Sequence, residues 1–290
     1  MDTAGCGPRS AGARPAGSGA ALAGRAAGDG ADDMMELAPG EPPWRHQVLQ
    51  RFDRAAPQYV EHAGLQRAVA WRLAGLCRRR PLPRGRWLDL GAGTGMLADA
   101  LETLHPGQSV GRLDGSEAML ARQRQRHDTQ RWDLQQGLPP WPERPQVLAS
   151  SFCLHWLDDP CLRLQQWYEA LAPAGWLALA LPVHGSFRQW HQAARAAGQS
   201  CTALPLPTAT SLLEAVPARA VRHQSLHRFT TQARSVAALL RPMRRVGAGS
   251  TPVQPLGVRA WRQLGRHWPV PESDGRVRLT WMIQILLLQR

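Results

Sequence analysis

An α/β chain with a doubly wound, mostly parallel sheet is predicted by three features of the sequence. An apolar run, Arg86-Trp87-Leu88-Asp89-Leu90, stops in a glycine loop, Gly91-Ala92-Gly93-Thr94-Gly95, and a helical pattern starts at Met96. Strand-like and helical segments then alternate up to Leu181, which requires crossover connections and so parallel strands with ligands at their carboxyl ends. A last apolar stretch, Val277 to Leu288, has twelve residues, too few to span a membrane and suited to a core strand.

Taken in order, residues 1–40 are rich in Ala, Gly, Arg and Pro, lack apolar periodicity and read as a disordered leader. No continuous apolar segment marks them as a secretory signal, and Asp29, Asp32 and Asp33 count against an Arg-rich transit peptide. Met34-Met35 offers an alternative start of translation. Residues 44–290 form the folded domain: a helical cap over 44–80, a ligand-binding core over 84–183 and a carboxyl-terminal half over 184–290. In the cap, Phe52, Ala56, Tyr59, Ala63, Val69, Leu73 and Leu76 recur at helical spacing, and Pro57 predicts two helices or a kink. Met96 to Leu104 is a helix with Leu97, Leu101 and Leu104 on one face, and the next strand ends in Asp114. Ser116 to Leu120 opens a helix running into a basic stretch, Arg122 to Arg131, read as a solvated helix face. Val147–Phe152 and Trp176–Leu181 are buried strands, with a helix over 160–172 between them. Helical runs near 186–198 and 232–246, a strand-like run over 221–230 and a Gly/Pro-rich connection over 247–257 complete the pattern.

Composition narrows the function classes. The chain has 35 basic and 22 acidic residues, net +13, and every basic residue other than histidine is Arg, with no Lys or Asn anywhere. An acidic partner accounts for such a surface, and so does the codon bias of a GC-rich genome. Cys6, Cys77, Cys153, Cys161 and Cys201 are scattered, form no C-x-x-C and predict neither disulfides nor a metal site. A reducing, cytoplasmic location follows.

The loop carries the chemistry. Glycines leave backbone where side chains would stand, so a ligand lies against the main chain beside a helix start. A dinucleotide loop spaces its glycines G-x-G-x-x-G for a pyrophosphate, whereas this chain has D-x-G-x-G-x-G. Asp89 at its mouth repels a pyrophosphate and suits a ligand with an ammonium group. Asp114, at the end of the second strand, stands where an acid reaches ribose hydroxyls. Together these residues resemble the first two motifs of the class I S-adenosylmethionine-dependent methyltransferases. That resemblance implies a seven-stranded Rossmann-like sheet in which 221–230 and the last strand make an antiparallel edge. It also implies S-adenosylmethionine as methyl donor, without a metal. Asp89 would take the methionine-end ammonium, Gly91, Ala92, Gly93 and Gly95 the backbone approach, and Asp114 the ribose, with Gly115, Ser116 and Met119 beside it. Asp133 occupies the place of an acid near the adenine amino group, or else caps a helix.

On the acceptor side, His155-Trp156 follows the fourth strand. Methyl transfer needs a base only if the acceptor must lose a proton, so His155 is either that base or a packing residue. Tyr59 lends a hydroxyl or packs on the sheet edge. No Asn/Asp-Pro-Pro-Tyr follows the strand, which disfavours transfer to amide or exocyclic nitrogen. Arg51 to Tyr59 with His62-Ala63 and Leu65-Gln66, Leu113 to Leu120, Leu154-His155-Trp156, Leu239 to Ala248 and Leu279-Thr280-Trp281 are similar to the malonyl-acyl-carrier-protein O-methyltransferases of biotin synthesis. Gly115, His155 and Pro242 depart from that family, which has an aliphatic residue, often a glutamine, and plain helix there. This likeness implies methylation of the free carboxylate of a malonyl thioester, with acidic acyl carrier protein as partner and neither nucleic acid nor membrane. A carboxylate has an ordinary pKa near 4 and needs no base. Arg241 and Arg245, one helical turn apart, are the candidates for holding it. A methyltransferase acting on a quinone, polyketide or sterol, an RNA methyltransferase, and a non-catalytic protein on the same fold are the rival readings.

Overall fold

In the computed structural model, which describes residues 43–124, 128–270 and 274–290, the strand β1 (Trp87–Leu90) is buried along its whole length and sits inside a seven-stranded sheet. The expected leader and Cys6 lie outside the described residues. Parallel neighbours flank β1: β2 (Val110–Asp114) on one side and, on the other, β4 (Val147–Ser151), whose far side pairs with β5 (Trp176–Pro182). The short β3 (Thr129–Arg131) closes the β2 edge. Successive residues face opposite layers, as the two-residue period of a strand demands: Val147 and Ala149 join one core and Leu148 the other.

β7 (Val277–Gln289) runs antiparallel to β5 and β6 (Val221–Ala233) antiparallel to β7, giving the order β3-β2-β1-β4-β5-β7-β6. The reversed strand therefore lies one place in from the edge, which explains its nearly continuous apolar run. β6 at the edge alternates half-buried and exposed residues instead.

One layer is made by α3 (Gly64–Arg78), α4 (Met96–Leu104), α7 (Arg188–Ala196), α9 (Val236–Arg245) and α10 (Val258–Arg266), the other by α6 (Pro160–Ala170) and α8 (Ala209–Glu214). Arg112 of β2 is 1% exposed and reaches Asp99 at 2.9 Å and Glu102 at 2.8 Å, tying α4 to the sheet. A buried guanidinium is tolerated because both acids pair with it.

The cap departs from expectation in detail. α1 (Pro43–Ala55), a 3-10 turn at Ala56–Gln58, α2 (Tyr59–His62) and α3 follow one another, so the chain bends both at Pro57 and at Ala63. The basic stretch is not a helix face: α5 (Glu117–Leu120) ends after one turn, and Thr129–Arg131 pairs with β2. α8 and α10 were not expected from the sequence, the first being six residues long and the second following the Gly/Pro-rich connection closely. α9 continues through Pro242. Among the described residues no helix is long and apolar enough to cross a membrane.

Candidate active site

The carboxyl ends of β1, β2 and β4 surround a cavity of about 190 Å³ lined by Asp89, Gly91, Ala92, Gly93, Asp114, Gly115, Met119 and Asp133. The loop after β1 is held from beneath. The amides of Gly91 and Ala92 both donate to the Leu113 carbonyl (2.8 and 2.9 Å), that of Gly93 to Asp114 Oδ2 (2.7 Å) and that of Gly95 to the Ala92 carbonyl (2.8 Å). Gln123 Nε2 donates to the Gly93 carbonyl at 2.8 Å. With these amides engaged, the loop does not present the fan of free N–H groups that cradles a phosphate.

Asp89 is 1% exposed, and its Oδ2 accepts from the Ala98 amide at 3.1 Å, occupying the start of α4. Its Oδ1 has no hydrogen-bond partner among the described residues. Burial pushes its pKa up to about 7, more than the Ala98 amide and nearby Arg112 lower it. A buried acid with a spare oxygen fits a ligand bringing its own cation, which would return the carboxylate to its ionised form. Asp114 accepts from the Gly93 amide and, at 2.8 Å, from the Ser116 amide. Burial raises it to about 6. Each of its oxygens keeps a second acceptor position, so one carboxylate can brace the loop and receive a pair of hydroxyls.

Asp133 Oδ1 accepts from the Gln135 amide at 2.9 Å, capping a 3-10 turn, and the residue also lines the cavity. Two expected residues stand elsewhere. Gly95 does not line the cavity; at φ +85° it turns the chain into α4, and a Cβ there would meet Gln123 at 3.4 Å and Arg112 at 3.5 Å. Ser116 is fully buried, caps α5 by accepting from the Met119 amide, and donates to Asp53 of α1. At Gly115 a Cβ would stand 2.8 Å from the tip of the Leu49 side chain, which would have to turn aside for a larger residue.

A second cavity, of about 60 Å³, adjoins the first, and Phe52, Tyr59, Gln66, Phe152 and Trp156 line both. Phe52 meets Trp156 edge to face at 5.6 Å. Burial, then Asp114, pushes the Tyr59 hydroxyl up, so it stays protonated. His155 lines the second cavity, and burial lowers it to about 3, making it a neutral imidazole at physiological pH and a weak base. Among the described residues, no arginine lines either cavity. Arg241 and Arg245 are exposed, and Arg245 Nη1 lies 2.9 Å from His62 Nε2. Met243, half a helical turn from both, is the α9 residue that reaches the second cavity with Val246 just beyond the helix. Phe152 at the junction, and Trp190, Thr202 and Ser250 around the second cavity, carried no motif in the sequence, while Phe52 and Gln66 lay in family-like segments without an assigned role. Outside the second cavity lies a groove of about 800 Å³ that shares Trp190, Thr202 and Met243 with it and carries Arg51, Arg54 and Arg244.

A model of the methyltransferase domain matches residues 59–282. A malonyl-[acyl-carrier protein] O-methyltransferase of Alcanivorax borkumensis is 29% identical over 252 residues, 82% of this chain and 84% of that protein. A trans-aconitate 2-methyltransferase of Variovorax paradoxus is 34% identical over 110 residues, 37% of this chain and 42% of that protein. Among solved structures, a Bacillus halodurans methyltransferase superposes with TM-score 0.52 at 15% identity, covering 75% of this chain and 97% of that one. A phosphoethanolamine N-methyltransferase of Haemonchus contortus, solved with S-adenosylhomocysteine, gives 0.50 at 16% identity, covering 85% and 60%. Both structural likenesses bear on the fold.

Proposed function

The chain belongs to the methyltransferase-domain family and is a class I S-adenosylmethionine-dependent methyltransferase, and from that premise we propose that it methylates the free carboxylate of a malonyl thioester on acyl carrier protein. The observation that carries this reading is the extent of the Alcanivorax likeness: it runs over 252 residues, whereas the trans-aconitate relative aligns over 110. A stretch of 110 residues is enough for the donor half alone; the longer one must also take in acceptor-side elements.

In this reading Asp89 holds the donor's ammonium, Asp114 its ribose hydroxyls and Asp133 the adenine amino group, while Gly91, Ala92, Gly93, Gly115 and Met119 give close approach. Bound there, S-adenosylmethionine supplies an electrophilic methyl on a sulfonium. Phe52, Tyr59, Gln66, Phe152 and Trp156 exclude water at the junction and align the acceptor oxygen with that methyl. His155 moves no proton, since the acceptor arrives ionised. Arg51, Arg54 and Arg244 in the outer groove meet the acidic carrier protein and its phosphate-linked arm.

Mass spectrometry of malonyl-carrier protein after incubation with enzyme and donor tests the proposal. The expected product is heavier by one methyl group, and acetyl-carrier protein stays unmodified. Added salt is expected to slow transfer to the carrier protein more than transfer to a small malonyl thioester. The trans-aconitate relative supports a second reading, a free polycarboxylate as acceptor; methylation of trans-aconitate, with malonyl-carrier protein unchanged, would decide for it.

A further inference from the structure

The second cavity presents a charge problem. A carboxylate buried without a partner is strongly disfavoured, yet among the described residues no arginine lines either cavity, and His155 is neutral. What the second cavity does have is unmet hydrogen-bonding capacity. Ser250 is 3% exposed, Thr202 9%, Trp190 8% and His155 8%. Ser250 Oγ, Thr202 Oγ1, Trp190 Nε1 and His155 Nδ1 all lack a hydrogen-bond partner among the described residues, and all four residues line this one cavity. Buried polar atoms are ordinarily satisfied, because a donor or acceptor cut off from water without a partner is costly. Four such residues around one small cavity are grouped where a polar group of a ligand would meet them.

Resting on the carboxylate reading above, we infer that Ser250, Thr202 and Trp190 hold the acceptor carboxylate by neutral hydrogen bonds, and that its counter-charge is the sulfonium of the donor in the adjoining cavity. The chemistry favours this division. A guanidinium gripping both carboxylate oxygens would stabilise the anion before reaction and dull its attack. Hydroxyl and indole N–H donors orient it while leaving a lone pair on the attacking oxygen. In the transfer, the C–O bond forms as the S–CH3 bond breaks, and the electron pair of that bond stays on sulfur. Anion and cation become neutral ester and neutral thioether, and no proton moves. Product then has no charge pairing to hold it, so release follows from the chemistry.

Titration calorimetry of malonyl-carrier protein, and in parallel trans-aconitate, tests this. Each is added to enzyme saturated with sinefungin, whose amine mimics the sulfonium charge, or with the neutral S-adenosylhomocysteine. At least tenfold tighter binding is expected in the cationic complex, and no preference for the methyl ester of malonyl-carrier protein. Ser250→Ala and Thr202→Val are each expected to weaken acceptor binding at least fivefold while leaving sinefungin affinity unchanged. Because they remove a buried atom without a protein partner, they are also expected to keep or raise the melting temperature of the ligand-free enzyme; residues with only a structural role would lower it. Equal acceptor affinity in the two complexes, or full affinity in both variants, would overturn the inference and leave the carboxylate reading standing. Binding of neither acceptor to either complex would overturn that reading and this inference together.

Discussion

The two adjoining cavities are built by opposite means. The three carboxylates of the first, with Thr94 and Gln135, come from one stretch, Asp89 to Gln135, in which strands end in loops carrying an acid or a glycine. The second gathers residues from Phe52 to Trp281, across the cap, three loops, α9 and β7, and is mainly apolar. The first contains three carboxylates and the second no charge at physiological pH. A site that binds the same donor in every turnover is made rigid by its own backbone; the site beside it takes its character from how distant segments happen to meet.

The sharpest way to break this comparison is at the loop itself. Gly91 has φ +71°, and a Cβ there would stand 2.3 Å from Cys153 Sγ, whereas Gly93, at φ +54°, has nothing within 4 Å. Gly91→Ala combines left-handed strain of about 1–2 kcal/mol with overpacking of about 1–3 kcal/mol, and is expected to lower stability by their sum in chemical denaturation. Gly93→Ala should show the strain alone and lose donor affinity instead. Similar stability losses in the two variants would mean that the loop is not braced as described.

Next in size is Asp114→Ala, which takes away the acceptor for two loop amides as well as two hydrogen bonds to a ribose. With each bond to a charged group contributing about 1.5–3 kcal/mol, donor affinity should fall about a hundredfold or more by calorimetry. Acceptor-side variants such as Ser250→Ala should leave that affinity alone.

Smaller, and opposite in sign for fold and function, is the effect of pH on Asp89. Its pKa is raised from 3.8 to about 7, so the ligand-free protein is favoured while the group is protonated and loses stability as pH rises from about 4 through about 7. Donor binding needs the ionised form and should strengthen about tenfold between about pH 6 and 8. In Asp89→Asn this limb should flatten, because the amide cannot ionise. A melting temperature that rises over the same window would contradict the burial of an uncompensated acid.

The smallest effect is expected at Arg241 and Arg245. Both are exposed and outside the cavities, so replacing either by Ala should change the acceptor KM by no more than about twofold. A large rise would return the acceptor carboxylate to the arginine side of α9.

The sequence by itself determined β1, β2, β4 and β5 with the main helices between them, the loop, and the placing of Asp89 and Asp114 on their strands, but not β3. All of these follow from local rules: apolar runs, glycine freedom and the two-residue period of strands. The apolar run at the end of the chain read as a core strand, and its antiparallel pairing with 221–230 was what the family resemblance implied. The sequence did not reveal that Gly95 and Ser116 face away from the ligand cavity, since a motif gives spacing and not direction. Nor did it place the basic stretch at 122–131 or α10, where short elements owe their form to neighbours. Only the tertiary structure decided that the arginines of α9 point outward while Ser250, Thr202 and Trp190 share a cavity without charge. Residues from distant segments meet there because the sheet and the cap bring them together, and no local pattern encodes that meeting.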